Sequence, residues 1–296
     1  MTAVWIVIVL AVILIAVLGI EIYREVHTFR VTRYTLSPAR LSGMTRDINI
    51  VFLSDLHNKV YGSRNAALFR AVRREKPDLI LIGGDMLVGK PDVPYDAALE
   101  FTGSLTELCP VIYACGNHEQ RMKEEPEKYT YSYQEYKGAL EKKGVIFLEN
   151  KSLSVEAGKA KLNISGLELP MESYRKFRKE KIRGADVERC LGFCADDRKG
   201  DAYQILLAHN PSYMSAYKEW GADLVLSGHL HGGIVRIPGI GGIITPQAFL
   251  FPKYSGEMRV EGDQAVIVSK GLGTHTINIR LFNLPEVVSL QLKKPL

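Results

Sequence analysis

Cysteine is scarce in this chain of 296 residues: four are present, Cys109, Cys115, Cys190 and Cys194, and no CxxC pair is among them. Such spacing matches neither a zinc-ribbon signature nor a disulfide framework. The thiols are read as reduced, with Cys109 and Cys115 flanking a buried strand and Cys190 and Cys194 sharing a helix face. A long basic cluster is also lacking, since the net charge of +5 is spread along the chain. Arg70, Arg73, Arg74 and Lys76 fall at helical spacing and read as a solvated face, with an anionic membrane surface or acidic substrate as the other reading. Nucleic acid is not expected as a partner. No internal repeat interrupts the pattern, and the apolar (46%) and charged (24%) fractions are those of a globular protein. A chain this long buries enough surface to fold without metals, so a metal, where the sequence calls for one, is functional.

Charge is absent altogether from residues 3 to 20, a run with the length expected of a membrane-spanning helix. A cleaved signal peptide is the competing reading, but no Lys or Arg precedes the run and no A-x-A site follows it. The organisation expected is a signal anchor over 1–22, a juxtamembrane linker over 23–46 that becomes an edge strand, and a single large domain over 47–296. Arg24, Arg30, Arg33, Arg40 and Arg46 all follow the span, which places a single-pass protein with its domain on the cytoplasmic side. That rule is weaker for one span ahead of a large domain, so an external domain stays open.

What is present is a recurring arrangement. Ile48 to Leu53 is an apolar, β-rich run ending in Ser54-Asp55-Leu56-His57; Leu79 to Ile82 ends in Gly83-Gly84-Asp85; Val111 to Cys115 ends in Gly116-Asn117-His118-Glu119. Gln204 to Ala208 ends in His209-Asn210-Pro211, and Ala222 to Leu226 leads into Ser227-Gly228-His229-Leu230-His231-Gly232-Gly233. Helical stretches separate the first three runs, about Arg64 to Lys76 and Tyr95 to Leu108. Strand, helix, strand at this spacing implies a parallel α/β sheet with right-handed crossovers, so the polar ends gather on one edge, where such sheets bind ligands.

On extended backbone, residues two apart share a face, so His229 with His231 and Asp55 with His57 are each expected to point together, a geometry suited to a metal. Mixed oxygen and nitrogen donors favour Mn, Fe, Zn or Ni over an all-oxygen Mg or Ca site. Glu119 reads as a helix-start carboxylate rather than a ligand, His27 as solvated, and His275 as a residue that could border the site. The polar segment 168–201 is expected to lie over the site and carry substrate choice. Met258 to Val260, Ala265 to Val268 and Val287 to Leu292 read as a β tail that closes a second sheet.

Taken in order, Asp55-x-His57, Gly84-Asp85, Gly116-Asn117-His118-Glu119, His209 and Gly228-His229-x-His231 resemble the calcineurin-like metallophosphoesterase superfamily over about residues 48 to 275. The anchor, the Ser54-Asp55-Leu56-His57 opening and the tail from Gly271 through Glu286 resemble its bacterial membrane-anchored branch. The resemblance implies a four-layer αββα sandwich of two mixed sheets flanked by helices. It also implies two divalent metal ions, with Asp55, His57 and His231 on one, Asn117, His209 and His229 on the other, and Asp85 bridging. His118 would face the phosphoryl group as general acid or oxyanion stabiliser. The activity implied is hydrolysis of a phosphodiester or pyrophosphate, since two cations about 3.5–4 Å apart can activate water and clamp both oxygens of an in-line displacement. A phosphomonoesterase and a metal-stabilised binding protein without turnover are the alternatives. The anchor suggests a lipid-linked substrate.

Overall fold

Short apolar runs alternating with amphipathic ones build two six-stranded sheets in a computed structural model. It describes residues 2–194, 202–233, 235–237, 239–274 and 278–294. The chain opens with helix α1 (Thr2–His27) and strand β1 (Arg30–Leu36), followed by β2 (Ile48–Leu53), α2 (Ala66–Arg74), β3 (Leu79–Ile82), α3 (Asp96–Ser104) and β4 (Val111–Tyr113). Next come α4 (Asn117–Glu124), α5 (Tyr133–Glu141), β5 (Val145–Phe147), β6 (Lys151–Ala157), β7 (Ala160–Leu167), α6 (Gly184–Leu191), β8 (Tyr203–Ala208) and α7 (Met214–Trp220). The last strands are β9 (Leu224–Ser227), β10 (Arg236–Ile237), β11 (Gly241–Gly242), β12 (Met258–Glu261), β13 (Gln264–Val268) and β14 (Glu286–Leu292).

The first sheet runs β1-β14-β2-β3-β4-β5 and the second β12-β13-β9-β8-β7-β6. Within them β2 to β5 are parallel, as are β7, β8, β9 and β13, while β14 against β2 and the β6–β7 and β12–β13 pairs are antiparallel. The central strands read as unbroken apolar runs because both faces are covered. Ile50, Phe52, Leu79, Leu81 and Ile112 face Ile164, Ile205, Leu207, Leu224 and Leu226 across the sheets. Their neighbours Val51, Leu53, Ile80 and Ile82 turn the other way onto Leu68, Val72, Phe101 and Leu140 of the helices. Leu206, Val225 and Val266 do the same toward Tyr217 and Trp220. A period of two in the strands thus gives four layers, helix, sheet, sheet, helix, each buried Leu or Ile contributing about 1.5–3 kcal/mol.

Three expectations need correction. The tail does not all close the second sheet: β12 and β13 do, but β14 inserts into the first, between β1 and β2. The alternation of Val287 to Leu292 fixes which face is apolar and cannot say which sheet takes the strand. The segment 23–46 does become the expected edge strand, β1, whose parallel register with β14 runs from Arg30–Glu286 to Leu36–Leu292, but α1 continues through His27, so residues 23–27 are helix and not linker. Cys190 and Cys194 do not share a helix, because Gly192 at φ 77° ends α6 before Cys194 is reached. All four cysteines are free thiols.

Helix α1 is long and apolar enough to cross a membrane, and its most apolar window buries nothing against the rest of the chain. Only its end is covered, at Glu25 and Val26.

Candidate metal centre

Each polar cluster sits where a strand stops, and the backbone there is not extended. Asp55, His57, Asp85, His229 and His231 have φ of 55°, 48°, 56°, 65° and 49°. Left-handed conformations at non-glycine residues cost about 1–3 kcal/mol each and persist only where the surroundings dictate them. The pleat is therefore not what aligns His229 with His231 or Asp55 with His57; successive left-handed turns beyond β9 and β2 do it. The loops are tied to one another: Asp55 N–H donates to Gly84 O and His57 N–H to Asp85 O, both at 3.0 Å. The Asp55 carboxylate accepts the His229 N–H at 3.0 and 3.1 Å, joining the two sheets.

Two glycines are required by that approach. A Cβ on Gly228 would lie 2.0 Å from Ser54 Oγ and 2.3 Å from Asp55 Oδ2, and one on Gly116 2.2 Å from Asp85 Oδ1. No side chain fits at either place.

The seven donors expected from the sequence, Asp55, His57, Asp85, Asn117, His209, His229 and His231, come together at this edge, with His118 beside them. His57 Nε2 and His231 Nε2 face each other at 3.2 Å. Asp55 Oδ1 lies 3.5 Å from His231 Nε2 and 3.8 Å from His209 Nε2, and Asp85 Oδ2 lies 3.1 Å from His209 Nε2 and 3.8 Å from His57 Nε2. Asp55, His57 and His231 form one set whose donor atoms fall within 4.8 Å of one another, and Asp85, His209 and His229 form a second. Asn117 Oδ1 is buried without a hydrogen-bond partner among the described residues. A buried acceptor of that kind is costly unless something electropositive meets it, so this donor set fits divalent cations.

The second nitrogen of the rings sorts them by role. His209 Nδ1 lies 2.6 Å from Gly83 O and His231 Nδ1 3.2 Å from Gly273 O. A carbonyl only accepts, so these nitrogens carry a proton and Nε2 is the atom each ring turns to the centre, with a lone pair once any second proton has left. His118 is the reverse: its Nδ1 accepts the Gly89 N–H at 2.8 Å, which leaves the proton on Nε2. A neutral His118 therefore offers a donor, although its ring also falls in a set with His57 and Asp85 whose donor atoms lie within 4.8 Å of one another.

Charge is arranged accordingly. Burial would lower the His209 imidazole, but the Asp85 and Asp55 carboxylates more than offset it and hold it up at about 10. Burial pushes Asp55 up to about 6, with His209 acting against it. For Asp85 burial is outweighed by His209, His118 and His57, which keep it well below the usual carboxylate range. Burial, with His57 and Arg280 adding to it, keeps His231 neutral.

Sequence reasoning missed three supporting residues. Glu119 does start α4, accepting the Gly116 N–H at 3.0 Å, but it also accepts the N–H of Asp85 at 2.8 Å and of Met86 at 2.9 Å. Tyr174, from the segment expected to cover the site, sets its ring 5.1 Å from that of His229. Arg280, fully buried, donates to Lys270 O at 2.7 Å and Gly273 O at 2.6 Å, pressing that loop onto Asp55, whose carbonyl accepts the Gly273 N–H at 2.6 Å. An arginine in the 279–286 stretch was the only sequence signal for it. In the 168–201 segment Ser173 O accepts from Asn210 Nδ2 at 3.1 Å, beside His209, while α6 packs against α7; 195–201 and His275 lie outside the described residues. A further cluster, Cys115, Glu149 and Glu168, already holds the ammonium of Lys123, 3.1 Å from Glu149 and 2.9 Å from Glu168.

Known proteins resemble this chain in sequence. The model of the calcineurin-like phosphoesterase family matches residues 48–233. The metallophosphoesterase YkoQ of Bacillus subtilis is 28% identical over 271 residues, 90% of this chain and 90% of its own length. Phosphodiesterase YaeI of Escherichia coli is 24% identical over 275 residues, 91% and 90% of the two chains. A zebrafish transmembrane protein with a metallophosphoesterase domain is 28% identical over 298 residues, 97% of this chain and 62% of its own. Strand-end donors, two facing sheets and a family match that runs from β2 past His231 make this chain a member of the calcineurin-like phosphoesterase family.

Proposed function

We propose that the chain hydrolyses a phosphodiester or pyrophosphate at a two-cation centre. Asp55, His57 and His231 would hold one cation, Asn117, His209 and His229 the other, with Asp85 between them. The observation that supports this is the gathering of these donors at one edge, with Asn117 Oδ1 buried and unpartnered among the described residues and with His209 and His231 turning Nδ1 to backbone carbonyls while His118 Nδ1 accepts the Gly89 N–H. Divalent cations, Mn, Fe, Zn or Ni, would supply Lewis acidity toward the phosphoryl oxygens and toward water.

The remaining chemistry belongs to the side chains. His118 donates its Nε2 proton toward a phosphoryl or leaving oxygen. With Nδ1 committed to Gly89, it works as a neutral donor and does not cycle through an imidazolium without breaking that bond. A neutral donor suits a diester or pyrophosphate, whose leaving oxygen needs a proton less than that of a monoester with a poor leaving group. Tyr174 shields the His229 side from water. The diester reading also agrees with the name of the Escherichia coli relative.

Turnover by the purified protein in Mn, compared across chromogenic diesters, monoesters, nucleotides and lipid pyrophosphates, tests the reading. Diester or pyrophosphate turnover above monoester turnover is expected. Preference for monoesters overturns the substrate class, and bound metal without turnover on any of them returns the non-catalytic alternative.

For α1 the reading is a single membrane anchor, supported by its length, its uncovered apolar surface and the name of the zebrafish relative. Arg24, Arg30 and Arg33 beyond the span favour a cytoplasmic catalytic domain. A lipid-linked substrate follows as a hypothesis: full-length protein should hydrolyse bilayer-presented substrate faster than a form lacking residues 1–25, and equal rates would remove it.

A further inference from the structure

The end of α1 is fastened to the catalytic half of the chain. Glu25, 2% exposed, accepts the Asn283 N–H at 2.8 Å. Asn283 Nδ2 in turn donates to His231 O at 2.6 Å and Gly233 O at 2.8 Å. Beside Asn283 stands Phe282, 51% exposed. Phe282 lines a surface recess with Ile237 and Ile240, the latter 67% exposed, and with Arg259. The backbone joins these segments through Arg236 N–H to Leu281 O at 3.0 Å. Next to β11, Leu250 and Phe251 are 63% and 60% exposed, and the Phe251 N–H donates to Ile243 O at 2.9 Å.

Two details set this patch apart from scattered surface residues. Phe282 and Phe251 have φ of 53° and 48°, a conformation that costs a bulky side chain about 1–3 kcal/mol. Neither ring is buried in return, so the strain holds apolar groups outward without any gain in packing. The second detail is height. Glu25 lies five residues beyond Ile20, the last of the uncharged run, which is about 8 Å along a helix. A headgroup layer extends roughly 5–8 Å beyond the hydrocarbon on each side of a bilayer. Phe282, next to the residue bonded to Glu25, therefore stands at headgroup depth, with the exposed cation Arg259 lining the same recess.

We propose that Phe282, Ile240, Ile237, Leu250 and Phe251 form a second membrane contact, an apolar patch that enters the headgroup region of an anionic bilayer and fixes the tilt of the catalytic domain on its anchor. This rests on the reading of α1 as a span. The bond from Glu25 through Asn283 to the His231 loop makes that contact rigid with the metal centre. The occupant is the lipid surface itself, argued from continuity with the anchor.

Full-length protein reconstituted in anionic vesicles with phospholipids brominated near the headgroup tests it. Ile240→Trp and Phe282→Trp add an emitter at the patch; Ile146→Trp, on β5 at the opposite edge of the first sheet from β1, is the comparison. Native Trp5, inside α1, reports on the span independently. Bromolipid should quench part of the added emission in the two patch variants and none of it in Ile146→Trp. If Trp5 is quenched with deeper bromination and the patch tryptophans are not, the second contact is wrong and the anchor stands. If Trp5 is not quenched either, the anchor reading fails and takes the proposal with it. Emission from the patch variants that changes with protein concentration, and not with bromination, would place a second copy of the chain on this face and overturn the lipid assignment.

Discussion

Glu119 lies 34 residues along the chain from Asp85 and accepts its backbone N–H at 2.8 Å. One carboxylate thus sets the turn that aims another, a candidate ligand, while also accepting from Met86, Gly116 and the Tyr113 hydroxyl. Glu119→Gln keeps the shape but turns an acceptor into a donor facing N–H groups. Stability should fall by about 1–3 kcal/mol in denaturant titrations. Cation affinity should fall roughly 10–100-fold, as for other residues that orient ligands. Unchanged affinity would mean that Asp85 is positioned without it.

His118 and Asp85 should separate on substitution. His118→Ala is expected to lose about 10²–10³ in turnover, the cost of removing one preorganised donor, while the metal content, read by elemental analysis, stays that of the parent. Asp85→Ala should lose metal and activity together. Equal metal loss in both would end the assignment of His118 as a donor. Gly89→Ala offers a subtler version, since its Cβ would meet His118 O at 2.7 Å and shift the bond that fixes the tautomer.

Metal uptake should release protons. In the metal-free protein burial lowers the His209 imidazole, but Asp85 and Asp55 raise it to about 10, so it carries a proton at neutral pH that a cation must displace. Affinity is therefore expected to rise with pH from about 6 to 9, the direction in which that proton leaves more easily. Calorimetry at pH 7.5 in two buffers of different ionisation enthalpy measures the release. Identical heats in both would show that His209 binds metal already neutral.

Cys109 should be unreactive in the folded protein. Burial first, then the Asp78 carboxylate, pushes its thiol up to about 12 from 9. At pH 8, alkylation of Cys109 should wait for unfolding. Between pH 9 and 12 the unfolded thiol ionises before the folded one, so this group's contribution to stability is lost as pH rises through that window. Rapid labelling of Cys109 at pH 8 without loss of structure would contradict both statements.

The strands that carry the site were legible because apolar runs ending in Asp, Asn, His and Gly admit few other readings, and the crossover rule puts their ends on one edge. The backbone that follows them was not. Asp55-x-His57 and His229-x-His231 look like pleated pairs, and only the contacts Asp55–His229 and Gly228–Ser54 show why the chain turns left-handed instead. The placement of β14 was equally hidden, since alternation in Val287 to Leu292 names a buried face without naming a sheet. Tyr174 reaches His229 across 55 residues of sequence, and Arg280 bonds the backbone of Lys270 and Gly273 through a turn whose shape no local pattern records. Glu119 was visible as a helix start, and its hold on Asp85 needed the fold.

Asp55, His57, Asp85 and Asn117 follow strands of the first sheet, whereas His209, His229 and His231 follow strands of the second. On the proposed assignment each cation would draw its ligands from both halves of the sandwich and would act as a rivet at one end of a seam that is otherwise apolar. Stripping them should loosen the seam from that end. Heat resistance would then climb with the concentration of free cation, and neither half expressed alone would capture one.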